Sequence, residues 1–209
     1  PAQSHYWDDP LSEAVMAAWR AGIVVVASAG NAGPDAMSIG VPGNVPYVIT
    51  VGAMTDNRTR EDLTDDILAS FSSAGPTHEG FVKPEMVAPG GRLLGLMGKS
   101  SKIVKEHPEF HDGEAYYYMS GTSQSAAMVS GAVALLLDAE PGLTPDQVKC
   151  KLMSSARPAV NADGTLAHTV FQQGAGLMNA YDAVHSGAYG CANVGLDIDA
   201  DIAGLAHFG

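Results

Sequence analysis

Residues 118–137, Tyr118-Met119-Ser120-Gly121-Thr122-Ser123-Gln124-Ser125-Ala126-Ala127-Met128-Val129-Ser130-Gly131-Ala132-Val133-Ala134-Leu135-Leu136-Leu137, constrain this chain more than any other stretch. A polar turn, Gly121-Thr122-Ser123, runs straight into a segment that is apolar or small on every side. A helix without a polar face belongs inside a domain, which puts Ser123 at the buried N-terminus of a central helix. There the first backbone N–H groups lack helical partners and the positive end of the dipole points outward. Such a place suits a nucleophile whose attack creates an oxyanion. On composition alone, a serine at a helix start is more commonly just an N-cap.

A second motif shifts the balance toward chemistry: Val24-Val25-Val26-Ala27-Ser28-Ala29-Gly30-Asn31-Ala32-Gly33-Pro34. Ile23 to Ala27 is an apolar, β-branched run, the pattern of a strand buried on both faces of a parallel sheet. Before it, Asp9 and Pro10 open a helix as N-cap and first helical residue. Leu11, Ala14, Val15, Ala18 and Trp19 recur at helical spacing, and Gly22 closes the element. Helix then buried strand is half of a βαβ unit. The small, Gly- and Pro-rich residues 28–46 follow as a loop at the carboxyl end of a parallel strand, where ligands of open α/β sheets bind.

Together, in this order, the two motifs resemble the subtilisin-like serine proteases, the subtilase family, over roughly residues 8 to 187. The Gly-x-Ser-x-Gly elbow of α/β-hydrolases does not fit, because position 125 is Ser. The resemblance implies an α/β chain with the three-layer subtilisin-like fold and its central parallel sheet. It implies Ser123 as nucleophile and the Asn31 side-chain amide as oxyanion-hole donor. In subtilisin itself, loss of that amide costs about 10²–10³ in kcat. By the same resemblance Ser28, Ala29 and Gly30 form one wall of the pocket for the residue before the scissile bond, with Gly40 as its floor. Glycine there leaves room for a bulky apolar side chain. The family pattern also makes the Val41–Pro42 bond cis, a minority state for X–Pro bonds.

Composition narrows the alternatives. At 209 residues, 46% of them hydrophobic and 16% charged, the chain is long enough for one domain with a real core. No uninterrupted apolar run reaches the roughly 18 residues of a membrane span. A net charge of −12 makes nucleic acid an unsuitable partner and reads as an acidic, solvated surface. Cys150 and Cys191 form neither a disulfide framework nor a metal-site spacing, and whether they pair stays open.

Further along, Tyr47 to Ala53 reads as a strand and Thr55–Asp66 as a charged surface loop. Its Glu61, Asp62, Asp65 and Asp66 lack the EF-hand pattern. Residues 68–76 and 83–90 read as short strand-and-turn elements without chemistry. Residues 91–118 form a long connection, polar at 99–114 and aromatic at Tyr116, Tyr117 and Tyr118, of a length that suits an insertion near a cleft. Thr144 and Gln147 have capping-box spacing before a helix with Val148, Leu152 and Met153 on its apolar face. Asn179 caps a last helix over 180–186. Residues 1–187 are thus expected to form the C-terminal portion of a catalytic domain. Residues 188–209, where Asp197, Asp199 and Asp201 alternate with apolar residues, read as an extension, an edge strand or loose tail of unknown role.

Acyl transfer needs a base to take the serine proton and an Asp to orient that base. In this family both precede the serine along the chain. No Asp here stands in an Asp-Thr/Ser-Gly context and no His in a His-Gly-Thr-His context. Each of the seven histidines, His5, His78, His107, His111, His168, His185 and His207, reads as a surface or loop residue. The expectation is therefore a complementary N-terminal fragment that carries Asp and His along with further strands of the sheet. Without it the chain is expected to be inactive and to leave an apolar edge and face uncovered. The substrate is expected to be a peptide or protein, and secretion to the extracellular space follows from the resemblance alone. No cofactor is needed for the chemistry, and a structural calcium is compatible with the family. Gln124 and Ala127 depart from the Met and Pro usual in the family. Two rival readings are a silent scaffold that kept the fold and a serine hydrolase of the esterase type.

Overall fold

A computed structural model describes residues 4–56, 59 and 66–209. The Asp9 side chain accepts from the Leu11 N–H (2.9 Å) and Pro10 takes the first helical position, so α1 spans Pro10–Arg20. Gly22, at φ +90°, turns the chain out of it. The buried face of α1 is Ser12, Met16 and Trp19, whereas Leu11 and Ala14 are exposed. The expected stripe is rotated toward Trp19, whose indole N–H donates to Asp146 Oδ1 at 2.9 Å.

Among the described residues four strands make the main sheet: β1 (Val26–Ser28), β2 (Ile49–Thr55), β3 (Ile67–Leu68) and β4 (Met86–Pro89). β2 is central and buried from Ile49 to Met54. It pairs parallel with β1 (Val26 opposite Ile49) and β4 (Val51 opposite Met86), and antiparallel with β3 near its end. β1 is shorter and more open than the 23–27 run suggested. Val24, Val25 and Val26 are half-buried and Ile23 is 59% exposed. The reason is topological: among the described residues β1 pairs with β2 alone, so its other edge has no strand beside it.

Helix α3 (Thr122–Ala139) lies across β1, β2 and β4 with Val129, Ala132, Val133 and Leu136 buried in the core. Its opposite side is not covered. Ala127, Met128, Gly131, Ala134 and Leu135 are exposed, with Leu135 at 56%, which corrects the expectation of burial all round. Behind it sit α4 (Pro145–Ser155), α5 (Val170–Gln173) and α6 (Ala180–His185). The Thr144–Gln147 capping box opens α4, and Asn179 Oδ1 accepts from the Asp182 N–H to open α6. Cys150 and Cys191 are joined by a disulfide, with Cα atoms 5.2 Å apart.

The segment read as chemically silent turn, 83–90, carries a buried ion cluster. Lys83 Nζ and Lys149 Nζ lie 2.5 and 2.8 Å from Glu85 Oε1, and all three side chains are almost fully buried. Glu85 Oε2 accepts from the Thr50 N–H at the start of β2. Lys149 also donates to the carbonyls of Pro46, Tyr47 and Val48. Burial pushes the Lys83 ammonium down to about 7, against the pull of Glu85. Burial by itself would raise the Glu85 carboxyl, but the charges of Lys149 and Lys83 override it and hold it below the usual range.

Residues 91–119 are a built element rather than a bare connection. β5 (Leu93–Leu96) pairs antiparallel with β6 (Tyr116–Met119), and between them lie α2 (Lys102–Glu106) and a 3-10 turn, Pro108–Phe110. The tail is neither edge strand nor loose. Asp197 caps α7 (Ile198–Ile202), and Asp201 is buried, accepting from Tyr6 Oη (2.8 Å), Tyr47 Oη (3.0 Å) and His207 Nδ1 (2.8 Å). The alternation of acids was misleading because two of the three serve helical geometry: Asp197 as cap, Asp201 facing inward. Burial, reinforced by Asp201, pushes both tyrosine hydroxyls well above their ordinary range. Trp7 stacks between His5 and His207, with ring centroids at 4.3 and 4.7 Å.

Candidate active site

The start of α3 is pinned to the end of β4. The Gly121 N–H donates to Gly90 O (2.8 Å) and Ser125 Oγ to Ala88 O (3.0 Å). Gly90 permits this approach, since a Cβ there would collide with Ser125 Oγ and come within 2.8 Å of Ala53 Cβ. The loop leaving β1 meets the same helix start. Thr122 is fully buried, and its Oγ1 accepts from the Gly30 N–H (3.2 Å) and donates to Asn31 Oδ1 (3.0 Å). The Thr122 N–H also donates to Asn31 Oδ1 at 2.9 Å. With Oδ1 held twice, the Nδ2 end of the amide is left to donate elsewhere. Gly121 keeps the neighbouring space clear. A Cβ there would lie 3.6 Å from Asn31 Nδ2 and 2.9 Å from Gln124 Oε1.

Ser123 and Asn31 line one cleft of about 550 Å³. Ser123 is exposed to it, which corrects the buried position expected from the helix pattern: the cleft opens onto the first turn of α3. Ser28, Ala29, Gly30 and Gly40 gather beside the site without lining this cleft. The Gly40 N–H reaches Ala29 O at 3.4 Å, and the Ser73 N–H donates to Gly30 O at 3.0 Å. Ala29 is fully buried, and the Val41–Pro42 bond is cis.

The far wall of the cleft is the β5–β6 segment, including Arg92, Ile103, His107, Phe110, Tyr117 and Tyr118. The sequence marks Tyr117 and Tyr118 only as part of an aromatic run and His107 only as a loop histidine, and it does not single out Arg92, Ile103 or Phe110. The available signal was the aromatic run at 116–118 beside an insertion-length connection. His107 is the one histidine in this lining. Its Nδ1 lies 3.3 Å from Glu109 Oε1, and no histidine among the described residues is hydrogen-bonded to Ser123. No cluster of three His, Cys, Asp or Glu side chains that could hold a metal ion occurs among the described residues. Glu61, Asp62 and Asp65 lie outside them, and among the described residues no helix is long and apolar enough to cross a membrane.

Comparison with known proteins gives this geometry a lineage. The subtilase family profile matches residues 3–176. Serine protease AprX of Bacillus subtilis (strain 168) is 43% identical over 180 residues, covering 86% of this chain and 39% of AprX. Subtilisin DY of Bacillus licheniformis is 34% identical over 171 residues, covering 81% of this chain and 49% of that protein. Among solved structures, the prenylagaramide maturation protease PagA superposes with TM-score 0.62 at 27% identity, covering 84% of this chain and 54% of PagA. Fervidolysin from Fervidobacterium pennivorans, a keratinolytic enzyme related to subtilisin, gives TM-score 0.62 at 30% identity, covering 83% of this chain and 24% of its own. The chain therefore spans about half or less of the length of these relatives. The family match and the shared α/β fold with its parallel strands lead to one conclusion: this chain belongs to the subtilase family of serine proteases.

Proposed function

We propose that this chain is the C-terminal portion of a subtilisin-type serine endopeptidase, with Ser123 as nucleophile and Asn31 as oxyanion donor. The observation that carries this reading is the convergence of Ser123 and Asn31 on one cleft, with Asn31 Oδ1 locked by Thr122. Ser123 Oγ attacks the peptide carbonyl carbon and its proton passes to a histidine base. The carbonyl oxygen becomes an oxyanion, met by the Ser123 N–H and Asn31 Nδ2. Collapse breaks the C–N bond, the base returns its proton to the departing amine, and water then releases the acyl group.

The base and its Asp partner lie on a complementary N-terminal part outside these residues. Three observations support this: the open edge of β1, the exposed apolar side of α3, and the fraction of each relative that the chain spans. Residues 188–209 form an extension that braces α4 through the Cys150–Cys191 disulfide and a 3.0 Å bond from Lys149 to Asn193. The substrate is a peptide or protein, with Ser28–Gly30 and Gly40 receiving the residue before the scissile bond. The enzyme works in the extracellular space, where a disulfide persists. A structural calcium, if bound, acts on stability and not on the acyl transfer.

A fluorophosphonate probe tests this. Labelling of Ser123 is expected in the full-length protein, lost in Ser123→Ala and retained in His107→Gln. Asn31→Ala is expected to lower kcat by about 10²–10³ with KM little changed. Labelling by the 209-residue chain alone, abolished in His107→Gln, would overturn the view that the base lies elsewhere. No labelling under any condition would make the chain a scaffold, and ester turnover without peptide cleavage an esterase.

A further inference from the structure

The β5–β6 segment does more than border the cleft. Tyr117 is buried at its base, with the Phe110 ring 6.1 Å away. Ile103 and Phe110 present apolar side chains that are 40% and 47% exposed, and both line the cleft that contains Ser123. The segment is braced internally. His111 Nε2 lies 3.0 Å from Met97 O, and Asp112 Oδ1 accepts from the Glu114 and Tyr116 N–H groups. Val104 anchors α2 from below. The wall is thus preformed, apolar at Ile103, Phe110 and Tyr117 with Arg92 and His107 beside them, and adjacent to the nucleophile.

Its position relative to the other pocket gives it a role. Ser28, Ala29, Gly30 and Gly40 cluster around β1 and do not line this cleft. A peptide whose carbonyl oxygen sits between the Ser123 N–H and Asn31 Nδ2 sends its acyl side one way and its leaving amine the other. If the acyl side chain occupies the 28–40 wall, the Ile103–Phe110–Tyr117 wall faces the leaving segment. We propose that this pocket binds the side chain that follows the scissile bond, and that Ile103, Phe110 and Tyr117 select a bulky apolar residue there. This rests on the proposed function, with Ser123 as the nucleophile and Ser28–Gly30 and Gly40 receiving the acyl side chain.

The test uses the full-length enzyme and internally quenched peptides that differ only in the residue after the cleaved bond. Phe or Leu is expected to exceed Gly or Asp in kcat/KM by about tenfold or more, the range a single hydrophobic pocket provides. Ile103→Ala and Phe110→Ala should each compress that ratio severalfold, with Phe110→Leu retaining more of it. Hydrolysis of a methyl ester with the same acyl sequence, whose leaving methanol is too small to fill the pocket, should fall much less in these variants than cleavage of the Phe peptide. An absent preference in the parent enzyme would overturn the proposal. So would an unchanged ratio in both alanine variants, or peptide and methyl ester rates falling together. Retention of all turnover in Ser123→Ala would instead sink the nucleophile assignment and leave the pocket without a reaction to serve.

Discussion

Thr122 carries the local order of the site in one hydroxyl. Its Oγ1 joins the Gly30 N–H to Asn31 Oδ1, while its own N–H makes the second bond to the same oxygen. Thr122→Val keeps the shape and the backbone bond but leaves the Gly30 N–H without its acceptor. Unmet, that group costs about 1–3 kcal/mol of stability. The Asn31 amide, held by one bond instead of two, should orient less well. We expect kcat to fall by about tenfold, less than the 10²–10³ for losing the amide itself. Thr122→Ser should restore both quantities. If Thr122→Val lowers the melting temperature without changing kcat, the hydroxyl is structural only. Ser123 and Asn31 were readable as candidates because each ends a contiguous local pattern, a turn into an apolar helix and a strand into Gly-Asn. The part played by Thr122 was not, since its partners lie 91 and 92 residues away.

At the scale of elements, the Lys83–Glu85–Lys149 cluster ties the start of β2 to α4, and its consequences are electrostatic. A buried charge that loses its partner is costly, so Glu85→Gln should destabilise by about 3–5 kcal/mol by leaving Lys83 and Lys149 buried without their counter-charge. Lys83 has the opposite signature. Its folded pKa is about 7, below the unfolded value of 10.5, so between those values the unfolded chain holds a proton that the folded chain lacks. Its contribution to stability therefore rises with pH from about neutral toward 10, and is smallest below 7. Lys83→Met should flatten that rise while leaving Glu85 paired with Lys149. Urea unfolding of the full-length protein carrying Ser123→Ala from pH 6 to 9, with and without the Lys83 substitution, would measure it. Parallel profiles would contradict the assignment. Helix starts were legible at this scale, because Asp9, Thr144 and Asn179 cap by accepting from backbone N–H donors only two or three residues ahead. The tail was not, because Asp201 owes its burial to Tyr6 and Tyr47, 195 and 154 residues away.

For the whole molecule, the decisive feature is apolar surface left open on an otherwise closed core. Ile23, Met128 and Leu135 are 59%, 44% and 56% exposed, and β1 has an unpaired edge among the described residues. Open edges and contiguous apolar faces drive association. Isolated and dilute, the 209-residue chain is expected to self-associate or to bind a hydrophobic dye. Co-expression with the proposed complementary N-terminal part should suppress both. A cooperative thermal transition of a monomer, verified by sedimentation velocity, would contradict the incomplete-domain reading.

Local order in the sequence determined a good deal alone: the apolar helix after Gly121-Thr122-Ser123, the caps, the α/β class and the family. These depend on interactions within a few residues, which a linear pattern records. Tertiary structure decided which side of α3 is covered, that Ser123 opens onto a cleft, that residues 92–118 fold back as its far wall, and that two lysines share one buried carboxylate. Each of these depends on groups distant in the chain meeting in a low-dielectric interior, where burial and pairing set the energies and sequence spacing says nothing of them.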